Sequence, residues 1–271
     1  MTNKWLKVAL MVTAIATGTS IKIDAETVLY VPQDDRPVSL QYTVDTAREA
    51  GMTVLTPPQH LISGKTYQGQ ADQIMAWVEQ NAGRADVMVL STDTLIYGGL
   101  VDSRKHNIPL STLQNRLKRI EGLKARNKNV RIYGFGTVMR SPRASGGGTE
   151  PAYYAEYGPT IFQIAALQDK LDSGSLTQEE TQKLMSLQAS VPVEYLQDWF
   201  DRRQKNMKIN KELIDETRSG VFDYFALGHD DTSQLSQSAL EGRYLNKYSK
   251  DISVEKYGSF PGADQLGLLL M

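Results

Sequence analysis

After Thr27 the chain alternates five short β-rich runs with longer helical patterns, and most of the runs stop at a proline, a glycine or a charged cluster. The runs are residues 28–31, 53–56, 87–90, 132–138 and 222–227. Strands separated by helices pair in parallel, because the chain must cross back over the sheet before the next strand begins. The expected fold is α/β: a mostly parallel sheet of repeated βα units, either open and Rossmann-like or closed like a barrel.

Punctuation supports this order. Pro32 ends the first run, Pro37 fits the first turn of a helix over residues 38–50, and Gly51 suits its C′ position. Pro57-Pro58 closes the second run, and Ile74, Met75, Trp77 and Val78 share one face of a helix over 70–82. Ser111 with Gln114 reads as a capping box for a helix carrying Leu113, Leu117, Ile120 and Leu123. Gly134 and Gly136, inside the fourth run, imply a bulge or a close backbone approach. A glycine-rich loop at 145–148 then opens a strandless helical insert over about 151–218, with helices at 157–171, 177–188 and 193–218. Thr177 and Glu180 form a second capping box there. A helix over 233–245 follows the fifth run.

The N-terminus reads as an address. Lys4 and Lys7 precede an apolar run at 8–16, too short for an ordinary membrane span but suited to a signal-peptide core. Cleavage after Ala25 leaves an α/β domain over 26–271 without a stable membrane span, in a periplasmic or secreted protein. A buried N-terminal element or an uncleaved anchor is the alternative. With no cysteine, such a domain rests on packing rather than disulfides. A net charge of −1, from 30 basic and 31 acidic residues, provides no field to hold nucleic acid. At the other end, residues 261–264 look like a loop at a helix entrance and 266–270 like a helix only begun, so a longer parent protein is expected.

Charged residues cluster where the β-runs stop, the rim at which parallel α/β sheets bind ligands. Asp34-Asp35-Arg36 can supply an acid, a base or a metal ligand together with a guanidinium clamp; equally, it can be an Asx turn and helix cap. Asp93 with Tyr97-Gly98-Gly99, extended by Asp102 and Arg104, offers a carboxylate and backbone open to close approach, or simply a turn. Arg140 can orient an anion or sugar hydroxyls, and Arg143 reads as a surface arginine. Glu150, Tyr153 and Tyr154 can form an aromatic lid, although a packing face suits both tyrosines better. His229-Asp230-Asp231 offers an acid/base pair or, with Asp34 or Asp35, ligands for a divalent metal, but no zinc spacing is matched. Alternation along an extended segment lets only two of those three face one site. His60 and His106 sit in polar loops and read as solvent-exposed.

Five of these blocks, in order, carry a resemblance. Pro32-Gln33-Asp34-Asp35-Arg36-Pro37, then Ser91-Thr92-Asp93-Thr94-Leu95-Ile96-Tyr97-Gly98-Gly99-Leu100 with Ser103-Arg104, then Thr137-Val138-Met139-Arg140, then Gly228-His229-Asp230-Asp231, and last Pro261-Gly262-Ala263-Asp264 resemble the signature blocks of the bacterial domain of unknown function 4127 family. The resemblance runs from about Val28 to the end; it implies that this chain is a C-terminally truncated member of a family whose members are longer and have no assigned reaction. Two positions depart from it: His229 and Gln265 stand where acidic residues are common.

The function expected from these residues is an exported hydrolase of a polar, hydroxyl-rich small molecule or carbohydrate, a glycoside or cell-wall sugar, working by carboxylate acid/base chemistry. Asp35, Asp93 and Asp231 are the expected catalytic carboxylates, with Asp34, Arg36, Tyr97, Arg104, Arg140, His229, Asp230 and Asp264 binding substrate. No cofactor is expected, and a divalent metal is left open. The alternatives are a non-catalytic exported sugar- or peptide-binding protein and a metal-dependent hydrolase.

Overall fold

The computed structural model describes residues 25–144, 147–231 and 233–271, so the expected leader, apart from Ala25, lies outside the described residues. Strands β1 (Thr27–Val31), β2 (Thr53–Leu55), β3 (Val87–Ser91), β4 (Arg131–Val138), β5 (Tyr224–His229) and β6 (Tyr257–Pro261) form one sheet of order β2-β1-β3-β4-β5-β6. Every neighbouring pair is parallel. Among the described residues β2 and β6 each pair on one side only, which makes the sheet open rather than a barrel.

The helices are α1 (Gln41–Glu49), α2 (Ala71–Asn81), α3 (Thr92–Tyr97), α4 (Leu100–Lys105), α5 (Leu110–Arg126), α6 (Tyr154–Asp172), α7 (Gln178–Ala189), α8 (Val193–Ser219), α9 (Gln237–Tyr248) and α10 (Leu266–Leu270). Alternation along the strands sorts their side chains onto two faces. Leu29, Val31, Met88, Leu90, Ile132 and Leu227 pack with Ile74 and Val78 of α2, Leu117 and Ile120 of α5, and Ile209 and Leu213 of α8. Val28, Tyr30, Val89, Phe135 and Ala226 face the other way, onto Val44 and Ala47 of α1 and Leu266 of α10. The step from β1 to β2 runs one way along the sheet and every later crossover runs the other. Right-handed connections therefore put α1 on the face opposite α2, α5 and α8, and leave a crevice where the direction reverses, between β1 and β3.

Gly134 and Gly136 answer to close approach rather than to a bulge. A Cβ on Gly134 would lie 2.6 Å from the Phe222 ring, and one on Gly136 would lie 2.4 Å from Thr92 Oγ1. The helical insert encloses its own small core of Met139, Tyr154, Ile161, Ile164, Leu184 and Trp199. Helix α8 joins that core to the sheet: Trp199 near its start packs in the insert, and Ile209, Leu213 and Ile214 pack on the strands.

Local expectations fare unevenly. The capping box of Thr177 and Glu180 forms as expected. The one at Ser111 does not: α5 starts two residues earlier, with Pro109 at its N-cap, and Gln114 donates instead to Glu212 of α8 at 2.6 Å. The fifth run starts later than expected and extends through His229, while β6, α3 and α4 occupy segments to which the sequence patterns assign no strand or helix. The helix expected from 233 begins at Gln237, where the Ser236 side chain caps it by accepting from the Ala239 amide.

Candidate functional site

Parallel register brings the carboxyl ends of the central strands to one rim: Val31 pairs with Leu90, and Val138 with His229. The segments that follow enclose a cleft of about 280 Å³ lined by Asp34, Arg36, Gly64, Lys65, Leu100, Val101, Arg104, Arg140, Thr149, Asp230 and Asp264. Six of these were expected at the site from sequence: Asp34, Arg36, Arg104, Arg140, Asp230 and Asp264. They come from the ends of β1, β4, β5 and β6 and from α4, which follows β3.

Ion pairs line the cleft. Asp34 closes an Asx turn by accepting from the Arg36 amide at 3.2 Å, and its other oxygen accepts from Arg36 Nε at 2.8 Å. Arg36 Nη2 also donates to Asp264, at 2.8 Å, across 228 residues of chain. Burial works against the Arg36 charge, yet the bonds to Asp34 and Asp264 outweigh it and hold its pKa above the usual value. Arg104, only 4 % exposed, reaches Asp230 through Nη2 at 2.5 Å, while its buried Nε has no partner among the described residues. Burial pushes the Arg104 pKa down; Asp230 opposes that, and the nearby Arg140 charge adds to it. Arg140 is bonded through Nε to Glu150 at 2.7 Å and through Nη2 to the Thr149 hydroxyl at 2.6 Å.

The three carboxylates expected to be catalytic lie outside this lining. Asp93 sits in the first turn of α3, 2 % exposed, accepting from Thr137 Oγ1 at 2.8 Å and Gln33 Nε2 at 3.1 Å. Burial pushes its carboxyl up to about 6; the bonds from Thr137 and Gln33 pull the other way, and the negative charge of Asp230 adds to the rise. Asp35 turns away and accepts from the Tyr67 hydroxyl. Asp231 accepts from the Ser233 amide at 2.9 Å and the Ser141 amide at 3.3 Å, and with His229 it lines a separate hollow beside β6. Of the His229-Asp230-Asp231 cluster only Asp230 enters the cleft, one residue rather than two. The His229 ring is bonded to Ser259 Oγ at 2.7 Å, and burial lowers its pKa.

Tyr97 is also absent from the cleft. It is buried and stacked on His106, with ring centroids 4.9 Å apart. His106 is buried as well, rather than exposed; its Nε2 meets Asn206 Oδ1 at 2.8 Å, and burial lowers its pKa to about 4. The glycines after Tyr97 serve packing of the chain on itself. Gly98 has a φ of 112°, and a Cβ on Gly99 would lie 1.9 Å from Ser63 Oγ, so the segment carrying Ser63 and Gly69 lies directly on them. Tyr154 is buried in the insert, and Tyr153 stacks on Tyr195, which makes both packing residues rather than a lid. Among the described residues no three His, Cys, Asp or Glu side chains gather closely enough to hold a metal ion.

Sequence reasoning missed Lys65 and Thr149 of the lining. Neither follows a β-run directly, and the glycines around each, Gly64 and Gly146-Gly147-Gly148, were the one available signal.

Fold and site together define an open, doubly wound parallel α/β protein with a charged strand-end cleft beside its topological switch point. Residues 28–271 match the profile of the family described as protein of unknown function (DUF4127), and the chain belongs to that family. No curated protein matches the sequence. Among the described residues no helix is long and apolar enough to cross a membrane.

Proposed function

We propose that this protein is an exported hydrolase that takes a polar, hydroxyl-rich small molecule, a glycoside or cell-wall sugar, into the strand-end cleft. The observation that carries the reading is the gathering of Asp34, Asp230 and Asp264 with Arg36, Arg104 and Arg140 in the lining of a single cleft. Carboxylates and guanidiniums are planar, multiply bonding groups, and together they offer acceptors and donors to adjacent hydroxyls. A cleft of about 280 Å³ lies near the lower end of small-molecule sites, about 300–1,000 Å³, and suits one sugar ring. Export is supported by the basic-then-apolar order at Lys4, Lys7 and residues 8–16.

The acid/base work falls in this reading to Asp230 and Asp264, because both line the cleft, each against a guanidinium, and Asp264 is half-exposed. Asp93, buried with its carboxyl pushed up to about 6 and sensing the charge of Asp230, gives up its proton just below neutral pH and, once ionised, adds to the negative field at Asp230. One observation favours a second reading, a non-catalytic binding protein: each cleft carboxylate is already paired with a guanidinium.

Incubating the protein with a panel of glycosides and cell-wall fragments, with and without chelator, separates the readings. Turnover that survives chelation and is lost in Asp230→Asn supports the hydrolase. Saturable binding without turnover of any member supports the binding protein and refutes the hydrolase. Turnover abolished by chelator points to metal-dependent hydrolysis.

A further inference from the structure

The two ends of the cleft differ in charge. At one end a single guanidinium, Arg36, is shared by two carboxylates, Asp34 and Asp264. At the other end Arg104 and Arg140 stand against Asp230 and Glu150, and Lys65, whose Nζ comes within 3.9 Å of a Cβ built on Gly147 in the loop that carries Thr149 to Arg140, adds a third cation to two carboxylates. Arg104 and Arg140 come from different elements, α4 and the end of β4, and their charges act on one another. Like charges are brought together in a partly enclosed site only at a cost, which a bound anion relieves.

The cationic end also has bonding capacity left. Among the described residues Arg104 makes one side-chain hydrogen bond, from Nη2 to Asp230, and its buried Nε has no partner. Arg140 is anchored through Nε and Nη2 to Glu150 and Thr149, which holds its fork in place, and among the described residues its Nη1 makes no bond. Lys65 is exposed on the cleft wall. A positioned guanidinium pair with a lysine beside it matches the oxygens of a carboxylate or phosphate group.

We propose that the Lys65, Arg104 and Arg140 end of the cleft is a subsite for an oxyanion, so that the molecule this protein takes is acidic: a sugar acid or a sugar phosphate. Its anionic group lies against the two guanidiniums, and its hydroxyls reach the Asp34 and Asp264 end. This rests on the cleft being the ligand site, but not on hydrolysis occurring there.

The test is calorimetric titration of the full chain at low ionic strength with glucuronate, glucose 6-phosphate, inorganic phosphate and methyl glucoside. At least one sugar anion is expected to bind about tenfold or more tightly than the glucoside, with an affinity that falls as salt is added. Arg104→Lys keeps the charge but loses the fork, and is expected to remove most of that preference. Lys65→Ala alters an exposed side chain, so it reads the subsite without endangering the fold, and is expected to weaken the anion severalfold and the glucoside far less. Thermal melts confirm that both variants are folded.

Glucuronate binding without glucose 6-phosphate assigns a carboxylate, and the reverse assigns a phosphate. Inorganic phosphate bound alone leaves an anion site but refutes the sugar-bearing ligand. Equal affinity for anion and glucoside, no anion binding at all, or anion binding indifferent to both substitutions overturns the subsite. Anion binding without turnover of any substrate leaves the subsite standing and sinks the hydrolase.

Discussion

Replacing Asp93 by asparagine should change how stability depends on pH. The Asp93 carboxyl is buried between Gln33 and Thr137, and that burial raises it from 3.8 to about 6. The folded chain therefore holds this proton more tightly than the unfolded chain does, and unfolding between these values releases it. The stabilising contribution is complete below the unfolded value and fades as pH rises through the folded one. Holding an ionised carboxylate in this site costs about 3 kcal/mol once both states are deprotonated, of which about 2 kcal/mol develops between about pH 4.5 and 7.5. Asparagine carries no charge and cannot titrate, and every other group titrates in both proteins. Chemical denaturation across that range should show the variant gaining about 2 kcal/mol on the wild type as pH rises. A difference between the two proteins that is flat in pH, or that runs the other way, refutes the buried-carboxyl account.

Arg203, 1 % exposed, is bonded to both oxygens of Glu241 at 2.8 Å and to the Met139 and Arg140 carbonyls, so Arg203→Met should cost about 3–5 kcal/mol by stranding Glu241. Denaturant midpoints check this, and the double variant with Glu241→Gln should recover part of the loss. Gly134→Ala drives a methyl into the Phe222 and Phe225 rings and should lower stability by about 1–3 kcal/mol, read from the thermal midpoint; an unchanged midpoint contradicts the close approach. Thr177→Ala removes the capping box of α7 and should cost about 1 kcal/mol, with the loss of amide-exchange protection concentrated in that helix. Asp264→Asn should lower turnover with little change in melting, because Asp264 is half-exposed and its partner Arg36 keeps Asp34; loss of folding instead would make Asp264 a structural residue.

The parts of the site visible in the sequence are those where a charged group directly follows a β-run, as Arg140 follows β4 and Asp230 follows β5. A parallel sheet has one carboxyl edge, so any residue just past a strand is delivered to it. What stayed hidden is which way each side chain turns. Asp34 and Asp35 are neighbours with the same chemistry, yet one lines the cleft and the other bonds Tyr67. Asp93 reads as an exposed strand-end acid, but the short helix α3 carries it inward to Thr137 of a strand not yet made at that point in the chain. Strand β6 escaped notice because Tyr257-Gly258-Ser259-Phe260-Pro261 is an edge strand with few apolar residues, and its pairing with β5 supplies what its composition lacks.

Local signals, the alternation of β-runs with amphipathic helices and the prolines and glycines between them, were enough to specify a parallel α/β sheet and to name six cleft residues. The open edges, the switch point between β1 and β3, the burial of Asp93 and the gathering of Arg104 beside Arg140 arose only when distant segments packed. Orientation and burial depend on contacts separated by tens to hundreds of residues, such as the 228 between Arg36 and Asp264, and no local pattern encodes them.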